Sequence, residues 1–231
     1  MDTKHNNSPS TPVSAPEILN SKQGNNTPTP AASVIAYYRL ASRDEYVVKM
    51  RNTFTVPSIP TDLTQEIVLN LWPGLESGAG GLLKVRLVFD NSKHPNSWFL
   101  STHAFPPSGD SAPVQNGEEY EVPVGTELTG VIELTHVADE AYTYKVYFEG
   151  YPEATSCSQT WNLPADKVLQ YIEPSGVTNR NQFPQEDAFI IKDILVVTNE
   201  GTLTVLNWNS DNSEVVCTTK TVTLPYSAAL A

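Results

Sequence analysis

The chain consists of many short segments with a strand-like pattern, and no stretch of it has a convincing helical pattern. From residue 33 onward, about a dozen such segments follow one another at short spacing, separated by turn residues. In Tyr142–Glu149, YTYKVYFE, every second residue is tyrosine, valine or phenylalanine, and the residues between them are mainly polar. This alternation is typical of a strand with one buried face. The pattern therefore predicts an all-β fold, with two antiparallel sheets packed as a β-sandwich.

Composition limits the organisation of the chain and its partners. Residues 1–32 are rich in Ser, Thr, Pro and Asn, so we expect a disordered tail there and a β-sandwich domain over 33–231. The formal net charge of −12 argues against nucleic acid and against anionic membranes as partners. The N-terminus lacks the apolar core of a secretory signal, so we expect a cytoplasmic protein, or a secreted one if a signal was removed.

The segment Leu69–Phe89, LNLWPGLESGAGGLLKVRLVF, carries the densest structural signal. Proline fixes φ and glycine accepts positive φ, so Trp72-Pro73-Gly74 is predicted to be a turn that ends a strand. After a glycine-rich loop, the strand Leu82–Phe89 places Lys84 and Arg86 on one face and apolar residues on the other. Charged side chains in mid-strand need solvent or partners, which predicts a solvated sheet face at these two residues.

The order of these motifs resembles a known family. A strand ending in LWPGL, a glycine-rich gap, LLKVRLVF and a strand containing Trp98 are similar to segments of the glutamic peptidases called eqolisins. Later in the chain, Val168–Glu173 (VLQYIE) and Phe189–Ile194 (FIIKDI) resemble two further strands of that family. The resemblance spans roughly residues 33–224. It implies a concanavalin A-like jelly roll of the lectin and glucanase superfamily, distantly similar to eqolisins.

The resemblance also implies which residues an active eqolisin would need. That chemistry uses a glutamate as general base and a glutamine that orients water and stabilises the oxyanion. Lys84 stands where the family has its glutamine, and Gln170 stands at the position most similar to its glutamate. A shift in register would offer Glu173 instead. The catalytic pair is therefore expected to be lost, and a hydrolase would have to use Glu173.

Three classes of function follow. The favoured interpretation is non-catalytic recognition, most simply of a carbohydrate, on one polar sheet face, with Lys84 and Arg86 facing Tyr147, Gln170 or Glu133. The first alternative is a hydrolase, either glutamic-peptidase-like or a glycosidase using two of Glu133, Glu149 and Glu173. The second is a structural or partner-binding sandwich without a small ligand. The predicted ligand contacts are Lys84, Arg86, Trp98, Tyr147 and Gln170.

Cofactor and metal signals are weak. His94, His103 and His136 are scattered, and the sequence contains no calcium loop, so we predict neither a metal site nor a cofactor. The two cysteines, Cys157 and Cys217, lie outside any metal spacing. They are read as two buried thiols, with one disulfide as the alternative. The sequence does not indicate an oligomeric state.

Overall fold

The computed structural model describes residues 29–42 and 44–231. Within these residues the chain forms strands joined by loops and by three single 3₁₀ turns, at Glu153–Thr155, Arg180–Gln182 and Ser227–Ala229. The strands are β1 (Val34–Arg39), β2 (Val47–Thr55), β3 (Val68–Ser77), β4 (Leu82–Asp90), β5 (Trp98–Phe105), β6 (Gln115–Asn116), β7 (Tyr120–Val122), β8 (Glu127–Ala138), β9 (Ala141–Phe148), β10 (Cys157–Trp161), β11 (Ala165–Ser175), β12 (Ala188–Thr198), β13 (Gly201–Thr202), β14 (Val216–Cys217) and β15 (Val222–Pro225).

The strands form two antiparallel sheets. Sheet A has the order β1-β11-β3-β4-β5-β6, with β7 also paired to β5. Sheet B has the order β10-β9-β8-β2-β12-β15-β14, with β13 paired to β12. The inner faces of the two sheets supply the core, and each sheet keeps an outer face of mixed polarity. The prediction of an all-β, two-sheet sandwich is confirmed.

Alternating side chains explain how each sheet acquires a buried face. In β9, Tyr144, Val146 and Phe148 are buried, while Lys145 and Tyr147 between them are partly exposed. In β4, Leu83, Val85 and Leu87 are fully buried, whereas the side chains of Lys84 and Arg86 lie on the outer face. Lys84 and Arg86 therefore lie on the outer face of sheet A, but their side chains are only 11% and 17% exposed, because neighbouring side chains cover most of them.

The predicted turn at Trp72-Pro73-Gly74 is wrong, because β3 continues through it to Ser77. Proline has no N–H to donate, and Pro73 lies where the β3–β4 ladder is interrupted, between the pairs Leu71–Leu87 and Gly74–Lys84. A Cβ at Gly74 would come within 2.5 Å of the Leu83 carbonyl oxygen, so the glycine permits close strand approach. The chain instead turns at the glycine-rich loop over residues 78–81.

Several remaining predictions concern the termini and the cysteines. The predicted tail, 1–32, lies outside the described residues except for 29–32, where the Ala31 and Ala32 amides donate to the carbonyls of Val177 and Ala229, at 2.7 Å each. Cys157 and Cys217 are both free thiols.

In the part of the chain that the structure describes, no helix is long and apolar enough to cross a membrane. Within that same part, no three His, Cys, Asp or Glu side chains are grouped as a metal site requires.

Candidate functional site

Polar and aromatic side chains cluster on the outer face of sheet A, where β11, β3 and β4 lie side by side. Glu173 on β11 is the central acceptor: its Oε2 receives hydrogen bonds from Trp72 Nε1 at 3.0 Å and from Lys84 Nζ at 3.3 Å. The Glu173 side chain is 45% exposed and that of Lys84 only 11%. Among the described residues no donor is bonded to Glu173 Oε1. One carboxylate oxygen is therefore fixed by the fold, and the other is left for a ligand or water.

Trp72 holds this arrangement in place. Its ring stacks on Tyr171, the residue that pairs with it on β11, with centroids 4.5 Å apart and planes 5° apart. Lys84 Nζ lies over the Trp72 ring, 4.1 Å from the centroid, in a cation–π contact. Trp72 is only 3% exposed. The indole therefore positions Lys84 and Glu173, and it is not an open platform on which a sugar ring could stack.

Arg86 extends the cluster along β4. Its guanidinium donates to Asn70 Oδ1 at 3.2 Å and, through two N–H groups, to Ser101 Oγ at 3.0 and 3.3 Å. Glu119 lies 3.9 Å from the guanidinium. Asn70 on β3 is the register partner of Glu173 on β11. Asn70 and Glu173 are therefore side by side on one sheet face, and the asparagine carboxamide and the free Glu173 carboxylate oxygen belong to neighbouring side chains.

Burial changes the ionisation of the basic groups in the cluster. Desolvation lowers the pKa of Lys84, and the neighbouring Glu173 opposes that change. Desolvation also lowers the pKa of Arg86, against the attraction of Glu119 and Glu173. His103, which pairs with Lys84 across β4 and β5, has its pKa lowered to about 4 by burial and then by the positive charges of Arg86 and Lys84. At neutral pH the imidazole is therefore neutral beside two cations.

A pH dependence of stability follows from His103. The pKa of this imidazole falls from 6.5 to about 4 on folding, so between those values the unfolded chain binds a proton that the folded chain does not. The free energy of unfolding is expected to decrease as the pH falls through this range, and His103→Gln to remove that part of the decrease. Denaturant unfolding at several pH values measures it, with the exposed His136→Gln as control. Identical pH dependence in wild type and His103→Gln would refute the assignment.

The five predicted ligand contacts do not form one site. Lys84 and Arg86 lie together on the outer face of sheet A, as described above. Trp98 is fully buried in the core, where its Nε1 donates to the Ser58 carbonyl oxygen at 3.4 Å. Tyr147 lies on the outer face of sheet B, where burial and the neighbouring Glu133 raise its pKa to about 12. The expectation that Lys84 and Arg86 face Tyr147 or Glu133 is therefore wrong. The first two residues lie on the outer face of sheet A and the other two on the outer face of sheet B, on opposite sides of the sandwich.

Gln170 is also absent from the outer face. It lies on the inner face of β11 with Val168 and Ile172, and it is fully buried. Neither its Oε1 nor its Nε2 has a hydrogen-bond partner among the described residues. Glu173, three residues further along β11 and on its outer face, is the residue that meets Lys84. The expected contact between Lys84 and Gln170 is therefore replaced by an ion pair between Lys84 and Glu173.

The two other candidate acids lie away from Glu173. Glu133 is on β8 of sheet B and pairs with Lys49 at 3.1 Å, and Glu149 directly follows β9 of the same sheet and pairs with Arg51 at 3.0 Å. Glycosidases need their two carboxyl groups within about 10 Å of each other across the substrate. Glu173, on the outer face of sheet A, is separated from both by the thickness of the sandwich. A glycosidase pair that includes Glu173 is therefore excluded.

Sequence reasoning missed Asn70 and Trp72 as members of the cluster. The signal was present in the alternation of Leu69-Asn70-Leu71-Trp72, which places Asn70 and Trp72 opposite the two buried leucines. The interpretation of Trp72 as the start of a turn does not predict that Asn70 and Trp72 share the outer face of β3. His103 and Ser101 follow from the same alternation in β5, once β5 is paired with β4.

Comparison with solved structures identifies the fold. One similar structure is scytalidoglutamic peptidase bound to a peptide-based transition-state analogue, with a TM-score of 0.54, 12% identity, and coverage of 85% of this chain and 98% of that one. Another is SCP-B, a member of the eqolisin family, in complex with the tripeptide Ala-Ile-His, with a TM-score of 0.50, 12% identity and the same coverage. No protein-family model and no curated protein match the sequence. The chain thus has an eqolisin-like β-sandwich fold.

Proposed function

We propose that the protein hydrolyses amide bonds of peptides bound on the outer face of sheet A, with Glu173 as general base. The observation that carries this proposal is the geometry of Glu173. Its Oε2 is held by Trp72 and Lys84, while no donor among the described residues engages its Oε1. A half-exposed carboxylate with one oxygen fixed and one free is suited to take a proton from water. The eqolisin-like fold supports this choice of chemistry.

Glu173 and Lys84 are the two residues of this face that take part in the proposed hydrolysis. Glu173 Oε1 accepts a proton from water as the water oxygen bonds to the carbonyl carbon of the peptide. The Lys84 ammonium stabilises the negative charge that develops on the carbonyl oxygen, as an electrostatic group in a partly buried site. The protonated Glu173 then gives its proton to the leaving amine as the C–N bond breaks, which restores the carboxylate.

Lys84 makes this site different from the eqolisin pattern, which has a glutamine at the corresponding position. An ammonium has three donors and no acceptor, so it stabilises an oxyanion but cannot accept a hydrogen bond from water. In this proposal water is oriented by Glu173 itself. The Asn70 carboxamide is at the adjacent register position, with its Oδ1 engaged by Arg86. Its Nδ2 is then available as a second donor on this face.

A second candidate is non-catalytic peptide recognition on the same face. The observation that favours it is the ion pair of Lys84 and Glu173 at 3.3 Å, which engages the carboxylate in the absence of ligand. Carbohydrate recognition, predicted from the sequence, has less support here because Trp72 is covered on both ring faces by Tyr171 and Lys84.

Variants at Lys84 separate the two candidates. Wild-type protein is expected to cleave acid-denatured protein substrates, and Lys84→Met to lower kcat by about 10²–10³, as loss of an oxyanion donor does. Mass spectrometry of the products measures both the cleavage by wild type and the kcat of Lys84→Met. Lys145→Met on sheet B, whose ammonium pairs with Glu153 at 2.7 Å, is the matched control and should leave kcat unchanged. An inactive wild type together with an active Lys84→Gln variant would instead support non-catalytic recognition.

A further inference from the structure

A small cavity opens on the outer face of sheet A beside the proposed base. Its volume is about 110 Å³, and its lining includes Asn70 and Arg86, which are hydrogen-bonded to each other. Asn70 is also the register partner of Glu173. The cavity is therefore one strand away from the carboxylate that would activate water. A peptide held at Glu173 would have a neighbouring side chain within reach of this cavity.

The apolar part of the cavity lining is supplied by Val68, Val88 and Phe99. The Phe99 ring packs on His94, with centroids 4.0 Å apart, which fixes one side of the cavity. Apolar surface of this kind gains free energy by leaving water when an aliphatic group covers it. This part of the lining therefore favours a hydrocarbon group against it.

The charged residues of the lining are already paired with one another. Arg86 lies 3.9 Å from Glu119, and Lys93 lies 3.4 Å from Asp90. Asp90 also accepts hydrogen bonds from the Ser92 hydroxyl and amide. A charged side chain entering the cavity would lose its hydration without finding a free counter-ion. The cavity therefore disfavours acidic and basic side chains.

The volume sets an upper limit on the size of the group. Engineered protein cavities that bind benzene measure about 150 Å³, which is more than the 110 Å³ found here. Phenylalanine, tyrosine and tryptophan side chains are thus too large to lie wholly inside it. Alanine, valine and threonine side chains fit.

We propose that this cavity receives one small uncharged side chain of the bound peptide and so sets the specificity of the face around Glu173. The proposal deepens the proposed hydrolysis and rests on a peptide being the ligand. The residues that select the side chain are Val68, Val88 and Phe99. Arg86 and Asn70 form the boundary between the cavity and the proposed catalytic carboxylate.

Binding of single blocked amino acids tests the proposal without requiring cleavage. N-acetyl-valine methylamide is expected to shift the NMR methyl signals of Val68 and Val88 saturably, with a Kd on the order of 1 mM for so small a ligand. The corresponding phenylalanine and aspartate compounds are expected to leave both signals in place. Equal shifts with all three compounds, or none with the valine compound, would overturn the proposal.

Two variants protect the experiment against simple misfolding. Val88→Phe fills the cavity and is expected to abolish the shift at Val68. Phe99→Ala enlarges the cavity and is expected to let the phenylalanine compound bind, a gain that an unfolded protein cannot show. Ile190→Phe, on an exposed position of sheet B, is the control and should bind like wild type. Failure of Phe99→Ala to accept the phenylalanine compound in a folded protein counts against the size argument.

The outcomes for the cavity and for hydrolysis can be distinguished. Valine-compound binding by a protein that cleaves no peptide would support the cavity and refute hydrolysis. Peptide cleavage with equal rates for small, aromatic and charged neighbouring residues, together with unshifted methyl signals, would refute the cavity and leave hydrolysis standing.

Discussion

Glu173→Gln is expected to lower kcat for peptide cleavage by about 10²–10⁴, the contribution of a general base. Glutamine keeps the shape of the side chain and still accepts a hydrogen bond from Trp72, but it has no oxygen that takes a proton at moderate pH. Because ligand contacts away from the carboxylate are retained, KM should change little. Steady-state kinetics on a peptide found to be cleaved by wild type measures both constants.

The control for this variant is Glu149→Gln. Glu149 is also a half-exposed glutamate paired with a cation, Arg51, but it lies at the end of β9 in sheet B. It should keep wild-type kcat. An equal loss in both variants would mean that charge or stability, and not a base at residue 173, determines the rate.

The effect of Glu173→Gln on folding stability must be separated from its effect on catalysis. The substitution leaves the largely buried Lys84 ammonium without its carboxylate partner. The double variant Glu173→Gln with Lys84→Met removes both charges together. It is expected to regain stability relative to Glu173→Gln alone and to stay inactive. Recovery of activity in the double variant would contradict the role of Glu173.

Trp98→Ala is expected to lower the free energy of unfolding by about 3–5 kcal/mol, the usual cost of truncating a buried large aromatic side chain. Trp98 is fully buried, packs on Phe89 with ring centroids 5.3 Å apart, and donates to the Ser58 carbonyl oxygen. Denaturant unfolding measures the change. Trp208→Ala is the control, since that side chain is only partly buried.

The same experiment tests a role predicted from the sequence. If Trp98 were a surface residue that stacks on a sugar, its removal would cost binding and little stability. A loss from Trp98→Ala no greater than that from Trp208→Ala would contradict its position in the core.

Much of the fold could be predicted from alternation alone. The strands at Trp98–Phe105 and Ala188–Thr198 follow the sequence pattern, and β9 buries the expected face. Trp72-Pro73-Gly74 could not be read in the same way, since Pro and Gly favour a turn locally. Only the pairing with β4, which tolerates a missing N–H there and a close approach at Gly74, makes that segment a strand.

The candidate site was harder to predict than the fold. In β11 both faces carry apolar residues, so the sequence does not tell whether Gln170 or Glu173 faces outward, and a slip of one residue exchanges the two faces. Tyr147 and Lys84 both lie on polar outer faces, but the sequence does not indicate that the faces belong to different sheets. Lys84 and Arg86 were found because charged residues in mid-strand require solvent or partners.

The most direct test of a hydrolytic Glu173 is product mapping in water enriched in ¹⁸O. Full-length wild type and Glu173→Gln are incubated side by side with an acid-denatured protein substrate, and the peptides are identified by mass spectrometry. Wild type should produce new C-termini that carry one ¹⁸O from the attacking water, and Glu173→Gln should produce almost none. A substrate left intact by wild type, or labelled equally by both proteins, would contradict the proposal.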